Sequence, residues 1–573
     1  MDLSRRKFIK GALATGALAA GAAVAGCAPT TPSTPSTSTG DTPNSNEGKT
    51  TGTKYTTYAN PNKIGIVQET SKEETFDFVV VGSGLTGLVA SMLTAEQAPD
   101  ATILLIDKMP VTGGNGNYAE ICAAGAPITY EDAFKRAMDT AKASSYIKDP
   151  LLLTQLYLDY SNNSAWLFEK HGVKHDETGM YYETRNGAKS MAQLTKEIET
   201  DPTYANIEIR LYTQANALLL ADEYTCKGVQ IHSVNSKDYV NINAKAVLLA
   251  TGGVATNLEL LNYYTNQDVN EKCFGIGAGQ DGDGHLMVEQ TAHGKAKSIH
   301  PTGMFHNVKG FEFSSPLGVA VAAQPTNLYM SEKGVRYADE SSINVYPFIP
   351  AGKCIELVGK AYSILGQNLI KRFEEKGSET GWWYYYHMPT SLQSDLNFYA
   401  NNEYVFKADT LEGLARAMDL PVDTFVKTVN DYNKAAEAGQ KDPVFGKAAE
   451  FMVPLGEGPY YGFRIFSGVC QTNGGIRADE FCRVCDPYFT PIAGLYTGGI
   501  SYSGLNGEIY SPGTSQAAAL FSGSKVARHV VENILGGKVA SDWWGSVPYS
   551  GLYPGADRTG IDPAKPLLNN GFS

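Results

Sequence analysis

Gly82, Gly84 and Gly87 stand in the spacing Gly-x-Gly-x-x-Gly, and an acid, Asp107, follows about 20 residues later. Those residue types in that order suit the holding of a dinucleotide. Gly82 makes a tight turn, Gly84 lets the backbone approach a pyrophosphate, Gly87 lets helix and strand pack closely, and Asp107 can bind ribose hydroxyls. The helix that opens there adds amide donors for the phosphates. Ala250-Thr-Gly-Gly253 and Asp281-Gly-Asp-Gly284 are further glycine turns that fit the rest of an adenine-dinucleotide pocket. Cys482-Arg-Val-Cys485 is a single Cys-x-x-Cys, which supplies two of the four ligands of a structural zinc, so no metal site is assigned.

These groups need a particular frame. Phe76–Val81 is an apolar, β-branched run broken only by Asp77, a helical pattern follows the glycines, and Ile103–Asp107 is a second buried strand that ends in the acid. Val247–Ala250 is a third such strand, ending in its own glycine turn. The apolar stretch 78–93 is too short, and too broken by Gly, Ser and Thr, to span a membrane. With 573 residues, 43% of them hydrophobic, the chain has length for roughly three to four domains of ordinary size. Its 47 basic and 60 acidic side chains give a net charge of −13, which argues against nucleic acid as a partner. Eight scattered cysteines make no disulfide framework and read as buried thiols.

Ser4-Arg-Arg-Lys-Phe-Ile-Lys10 and the Ala/Gly run that follows form a twin-arginine export pattern. Val24-Ala25-Gly26-Cys27 resembles a lipoprotein cleavage box, so residues 1–26 are expected to be removed and Cys27 lipidated. Residues 27–74, rich in Thr, Ser and Pro at their start, read as a tether, with the globular part beginning near Phe76. The expected location is the outer face of the cytoplasmic membrane, lipid-anchored.

Several further stretches carry a resemblance. Gly113-Gly-Asn115, Ala250–Gly253, Gly282–Gly284, His300-Pro-Thr302, Gly334-Val-Arg336-Tyr-Ala-Asp-Glu340, Lys407-Ala-Asp-Thr-Leu411 and Gly494-Leu-Tyr496 recur in the order found in fumarate-reductase and 3-oxosteroid-dehydrogenase type flavoproteins. The resemblance spans about residues 75 to 536 and implies non-covalent FAD. It also implies an α/β fold, a Rossmann-like FAD-binding domain with an inserted α+β capping domain. The FAD domain would comprise 75–295 and 470–536, the cap 296–469, and 537–573 a C-terminal tail. The expected cofactor-binding residues are Gly82, Ser83, Gly84, Thr86 and Gly87, then Asp107, Lys108, Gly113, Gly114, Asn115 and Gly116. Ala215, Thr251, Gly252, Gly253, Asp283, Gly499, Gly513 and Ser515 complete the set.

The chain departs from the dicarboxylate reductases of that family where substrate is held. Asn344 stands at the position of a catalytic arginine, Tyr510 at that of a late clamping arginine, and Phe313–Thr326 holds no Arg, Asp or Glu. Gly468–Gly475 lacks the usual histidine, and Ile500 replaces a glutamate that contacts the ribityl chain. Only His300 survives. Arginine grips a carboxylate through a rigid fork, so its loss at two positions predicts a substrate that is not a dicarboxylate. Tyr510 matches the tyrosine with which oxosteroid dehydrogenases bind a substrate carbonyl, and the amides near Thr514 would share an enolate oxygen with it. Tyr346 is the expected proton donor, and Tyr118, after the Gly113–Asn117 loop, is placed to line the flavin face.

The expected activity is therefore flavin-dependent reduction of an activated alkene in a neutral, enone-like or aromatic conjugated compound, as a terminal step of anaerobic electron transfer. No Cys-x-x-Cys-His haem site is encoded, so electrons would come from a separate quinol-linked or cytochrome protein at the membrane. The rival readings are a desaturating ketone dehydrogenase, a fumarate- or urocanate-like carboxylate reductase, and a non-catalytic FAD-containing binding lipoprotein.

Overall fold

The strand expected at Phe76–Val81 is β1, Glu73–Val81, and its side chains divide alternately between two cores. Phe78 and Val80 join a cluster with the helices Leu85–Gln97 and Thr514–Asn533, while Val79 and Val81 join one on the opposite face. That is why Phe78–Val81 is apolar at every position: a parallel strand covered on both faces has no solvent side. The computed structural model describes residues 58–122, 129–144, 146–176, 182–183, 187–265, 272–274, 279–291, 296–309, 316–344, 355, 358–377, 379, 392–400, 402–507 and 513–539. The expected export signal and most of the tether, Tyr346, Tyr510 and nearly all of the C-terminal tail lie outside them.

Parallel pairing builds outward from β1. On one side lie β2, Ile103–Ile106, and β3, Ile207–Arg210; on the other lie β6, Val240–Leu249, and β14, Pro491–Thr497. Antiparallel strands β4, Thr213–Asp222, and β5, Thr225–Ser233, run into β6, and β13, Arg483–Cys485, pairs with β14. The mixed α/β architecture is the one expected. The fold begins earlier than Phe76, however. Asn60 bonds Ile64 through both its carbonyl and its amide, Gly65 N donates to Asn216 O, and Gln68 N donates to Gln230 Oε1. These bonds, with the buried Ile64 side chain, hold the segment without any hydrophobic periodicity to announce it.

A second sheet has its own core, around Tyr329, Ile364, Phe425 and Phe463. It comprises β7, Lys272–Phe274; β8, Ala296–Asn307; β9, Leu328–Ser331; β10, Ala361–Leu365; β11, Val405–Ala408; and β12, Tyr460–Ile476. The 17-residue β12 is its spine. Its first half pairs with β10 and β11, and its second half pairs with β7 and β8, opposing Asn473 to His300.

Candidate active site

The ends of β1, β2, β6 and β14 open on one cleft with about 980 Å³ of empty space, solvent at its mouth included. That is room for a large ligand, at the edge where such sheets bind one. Gly82 turns the chain out of β1 at φ 105°, and a Cβ there would stand 2.3 Å from the Ala250 carbonyl oxygen. A Cβ on Gly87 would stand 2.0 Å from the Gly82 oxygen, so glycine is what allows the helix Leu85–Gln97 to start so close to the sheet. No side chain caps that helix, which leaves its first amides for a ligand. Gly84 and Gly114 meet little but each other's loops, and they line the cleft.

The acid after β2 has several partners. Ser83 donates to Asp107 Oδ2 through both its amide (2.8 Å) and its hydroxyl (2.7 Å), and Met109 N donates to Oδ1. Next to it, Lys108 Nζ lies 2.7 Å from Asp281 and 2.7 Å from Asp283, to which Gln214 also donates. Burial opposes the Lys108 charge, but Asp283 and Asp281 beside it win, and its pKa is raised. Burial likewise pulls Asp281 upward, and the Lys108 ammonium outweighs it and lowers its pKa. The trio fastens the helix Asp283–Thr291 to the end of β2 along one wall.

Most of the residues expected from sequence meet in this lining: Gly82, Gly84, Thr86, Asp107, Lys108, Gly113 to Gly116, Ala215, Thr251, Gly252, Asp283, Gly499 and Ser515. Four stand just behind it. Ser83 orients Asp107, Gly87 packs helix on strand, and Gly253 lies against Thr472. Gly513, at φ 84°, is the N-cap of the helix Thr514–Asn533, whose first residue Thr514 is buried. Tyr118 ends a 3₁₀ turn outside the lining and is 49% exposed. The backbone of His300 lies in β8. Asn344 closes a 3₁₀ turn whose first residue, Glu340, is held bidentately by buried Arg336, itself paired with Asp442.

Gln214, Gln280, Gln471 and Gln516 also line the cleft and are not among the expected site residues. Amides carry no spacing signature, so only Gln471, inside the altered Gly468–Gly475 stretch, had a local cue. Gln471 Nε2 donates to Asn473 Oδ1 (2.9 Å) and Ser515 Oγ (2.7 Å), and Asn473 Nδ2 donates to Gly507 O (2.9 Å). This chain of amides links β12, the 504–507 turn and the last helix. The two thiols of the Cys-x-x-Cys are free and buried, and burial pushes Cys482 up to about 12.

Residues 77–515 match the family model described as FAD binding domain. The chain belongs to this FAD-binding family. The vinyl phenol reductase of Lactiplantibacillus plantarum is 30% identical over 490 residues, covering 81% of this chain and 97% of that protein. Two solved structures share the fold. An open conformation of a flavocytochrome c3 fumarate reductase matches with TM-score 0.59 and 24% identity, over 80% of this chain and 79% of that one. A 3-ketosteroid Δ1-dehydrogenase from Sterolibacterium denitrificans matches with TM-score 0.60 and 16% identity, over 80% of this chain and 99% of that one. The chain is an FAD-dependent oxidoreductase acting on CH–CH groups.

The cleft fits that cofactor: uncapped helical amides and side-chain-free glycines stand where phosphates need them, and the buried Thr251 hydroxyl has no hydrogen-bond partner among the described residues.

Proposed function

We propose that this flavoenzyme reduces the carbon–carbon double bond of a neutral, conjugated substrate, an aromatic vinyl compound or an enone. The observation that carries the reading is the loss of both arginine clamps, with Asn344 and Tyr510 in their places. The 30% identity to a protein named for vinyl phenol, a neutral conjugated alkene, supports it. FAD would lie on the glycine turns 82–87, 113–116 and 251–253, with Asp107 toward ribose hydroxyls and the amides of Leu85 to Gly87 toward the pyrophosphate. When bound and reduced, it supplies a hydride to one alkene carbon.

The chain's own residues complete the reaction. The Tyr510 hydroxyl and the amides at the start of the helix Thr514–Asn533 hold the oxygen on which negative charge collects, and Tyr346 or a water delivers the proton to the other carbon. Gln471 keeps Ser515 in place for this. The twin-arginine segment and Cys27 put the enzyme on the outer face of the membrane, where a quinol-linked or cytochrome donor returns electrons to it.

Direction is tested by running the reaction both ways without oxygen. Reduced viologen dye should drive reduction of enones and vinyl phenols, and saturated ketones should leave the oxidised flavin yellow. Bleaching of the flavin by saturated ketones, with no alkene reduction, would instead mark a desaturating dehydrogenase. Tyr510→Phe should lower kcat about 10²-fold or more and move KM little; an unchanged kcat removes Tyr510 from the reaction.

A further inference from the structure

Gln471 lines the cleft and is 6% exposed, and both hydrogens of its side-chain amide are spent inside the fold. Nε2 donates to Asn473 Oδ1 and to Ser515 Oγ. A backbone atom fixes which way round these amides stand. The Gly507 carbonyl can only accept, so it is the Asn473 nitrogen that must face it, at 2.9 Å. Asn473 then turns its oxygen to Gln471, and Gln471 must answer with its nitrogen.

Two atoms are left over. Gln471 Oε1 accepts from no described residue, and the Ser515 hydroxyl, whose oxygen takes a Gln471 proton, has no acceptor for its own hydrogen among the described residues. An acceptor and a donor thus stand on touching residues in one wall of the cleft, each residue more than nine-tenths buried. A buried polar atom without a partner is costly, and the ladder behind these two is closed, so what satisfies them comes from the cleft. A hydroxyl meets both, since it offers a hydrogen and lone pairs on one oxygen. A carboxylate oxygen has no hydrogen and would face the Gln471 lone pairs, and a ketone would meet the donor alone. The imide edge of a flavin, one N–H between two carbonyls, calls for a donor on each side of the acceptor, which this pair does not offer.

We propose that Gln471 and Ser515 select a substrate that carries a hydroxyl, which donates to Gln471 Oε1 and accepts from the Ser515 hydroxyl. The inference rests on the proposed function and narrows it, from neutral conjugated compounds in general to those with a hydroxyl on the conjugated system, as in a vinyl phenol. Enones without a hydroxyl rank below them. Asn473 is a positioning residue: it stands behind the cleft wall, fully buried, and sets which end of Gln471 faces the ligand. Rejection of a carboxylate here comes from a lone pair held in place as well as from missing arginines.

Non-reacting ligands read the pair. Oxidised holoenzyme is titrated with 4-ethylphenol, 4-ethylaniline and 1-ethyl-4-fluorobenzene, and the change in flavin absorbance gives each Kd. The fluoro compound is no larger than the phenol and has no hydrogen to donate, so the wild type should bind it about 5- to 150-fold more weakly, with the aniline between the two. Gln471→Met should erase the difference. Asn473→Leu frees Gln471 to turn its nitrogen outward and should shrink the difference with Gln471 still in place, which a mere packing role would not do. Should Gln471→Met not retain flavin, Ser515→Ala should weaken binding of 4-ethylphenol and leave the aniline unchanged. Equal Kd values for the phenol and the fluoro compound on the wild type overturn the inference and leave the proposed function standing. So does a Gln471→Met holoenzyme that discriminates like the wild type, or loss of flavin from Gln471→Met while Ser515→Ala binds all three ligands normally, which would give the pair to the cofactor. A wild type that reduces fumarate overturns both.

Discussion

Gly82 shows how much chemistry one missing side chain can carry. Its φ of 105° and the 2.3 Å approach of a would-be Cβ to Ala250 O make Gly82→Ala a strained substitution in the wall of the cleft. At about 1–3 kcal/mol of strain, FAD retention should weaken roughly 5- to 150-fold. Flavin absorbance after gel filtration measures this, and full flavin content in Gly82→Ala would show that the turn is slack. This glycine was legible in the sequence because backbone needs leave a fixed spacing. Asp107 was legible as an acid at the right place, but its engagement by Ser83 and Met109 was not, since hydrogen bonds between loops have no period. Lys108 is intermediate: Lys108→Met leaves Asp281 and Asp283 without their cation and should cost about 1–3 kcal/mol in denaturant unfolding, with a value near zero contradicting the clamp.

At the scale of elements, the site depends on β12 reaching from the second sheet to the turn that follows β6. The buried Thr472 hydroxyl accepts from Val254 N at 2.9 Å, fixing the Ala250–Gly253 turn. Thr472→Val keeps the shape and leaves that amide unsatisfied, so a loss of about 1–3 kcal/mol and a lower flavin content are expected. Differential scanning with and without added FAD separates the two effects. The strands β1, β2 and β6 could be read from sequence because burial on both faces makes β2 and the last four residues of β1 and β6 apolar. β12 could not, because its 17 residues divide their duties between two sets of partners, β10 and β11 first and β7 and β8 after. The early start of the fold at residues 58–72 was missed for a related reason: side-chain bonds of Asn60 and Gln230, with Ile64 as an isolated buried anchor, hold it and leave no apolar period.

The whole molecule should be sensitive to acid. Burial lowers His285 from 6.5 to about 4, and burial, with help from Arg483 and Lys525, lowers His529 to about 3. Both are neutral in the fold, and the unfolded chain binds their protons more readily. Stability is therefore fully present above about pH 6.5 and declines as pH falls toward 4, by about 1.4 kcal/mol per pH unit for each histidine. Tm should drop steadily across that window, and His529→Gln should flatten the drop; a level Tm between pH 6.5 and 4.5 would refute this.

The central claim, a neutral conjugated substrate in place of a dicarboxylate, is tested most directly by single-turnover reoxidation. Purified holoenzyme is reduced stoichiometrically without oxygen and mixed with 4-vinylphenol, an enone, fumarate or urocanate while the return of oxidised FAD absorbance is followed. Fast return with 4-vinylphenol or the enone, and none above background with fumarate or urocanate, is the predicted result. Fast return with fumarate would contradict the account, because a carboxylate site would then exist without the two arginines on whose absence it rests.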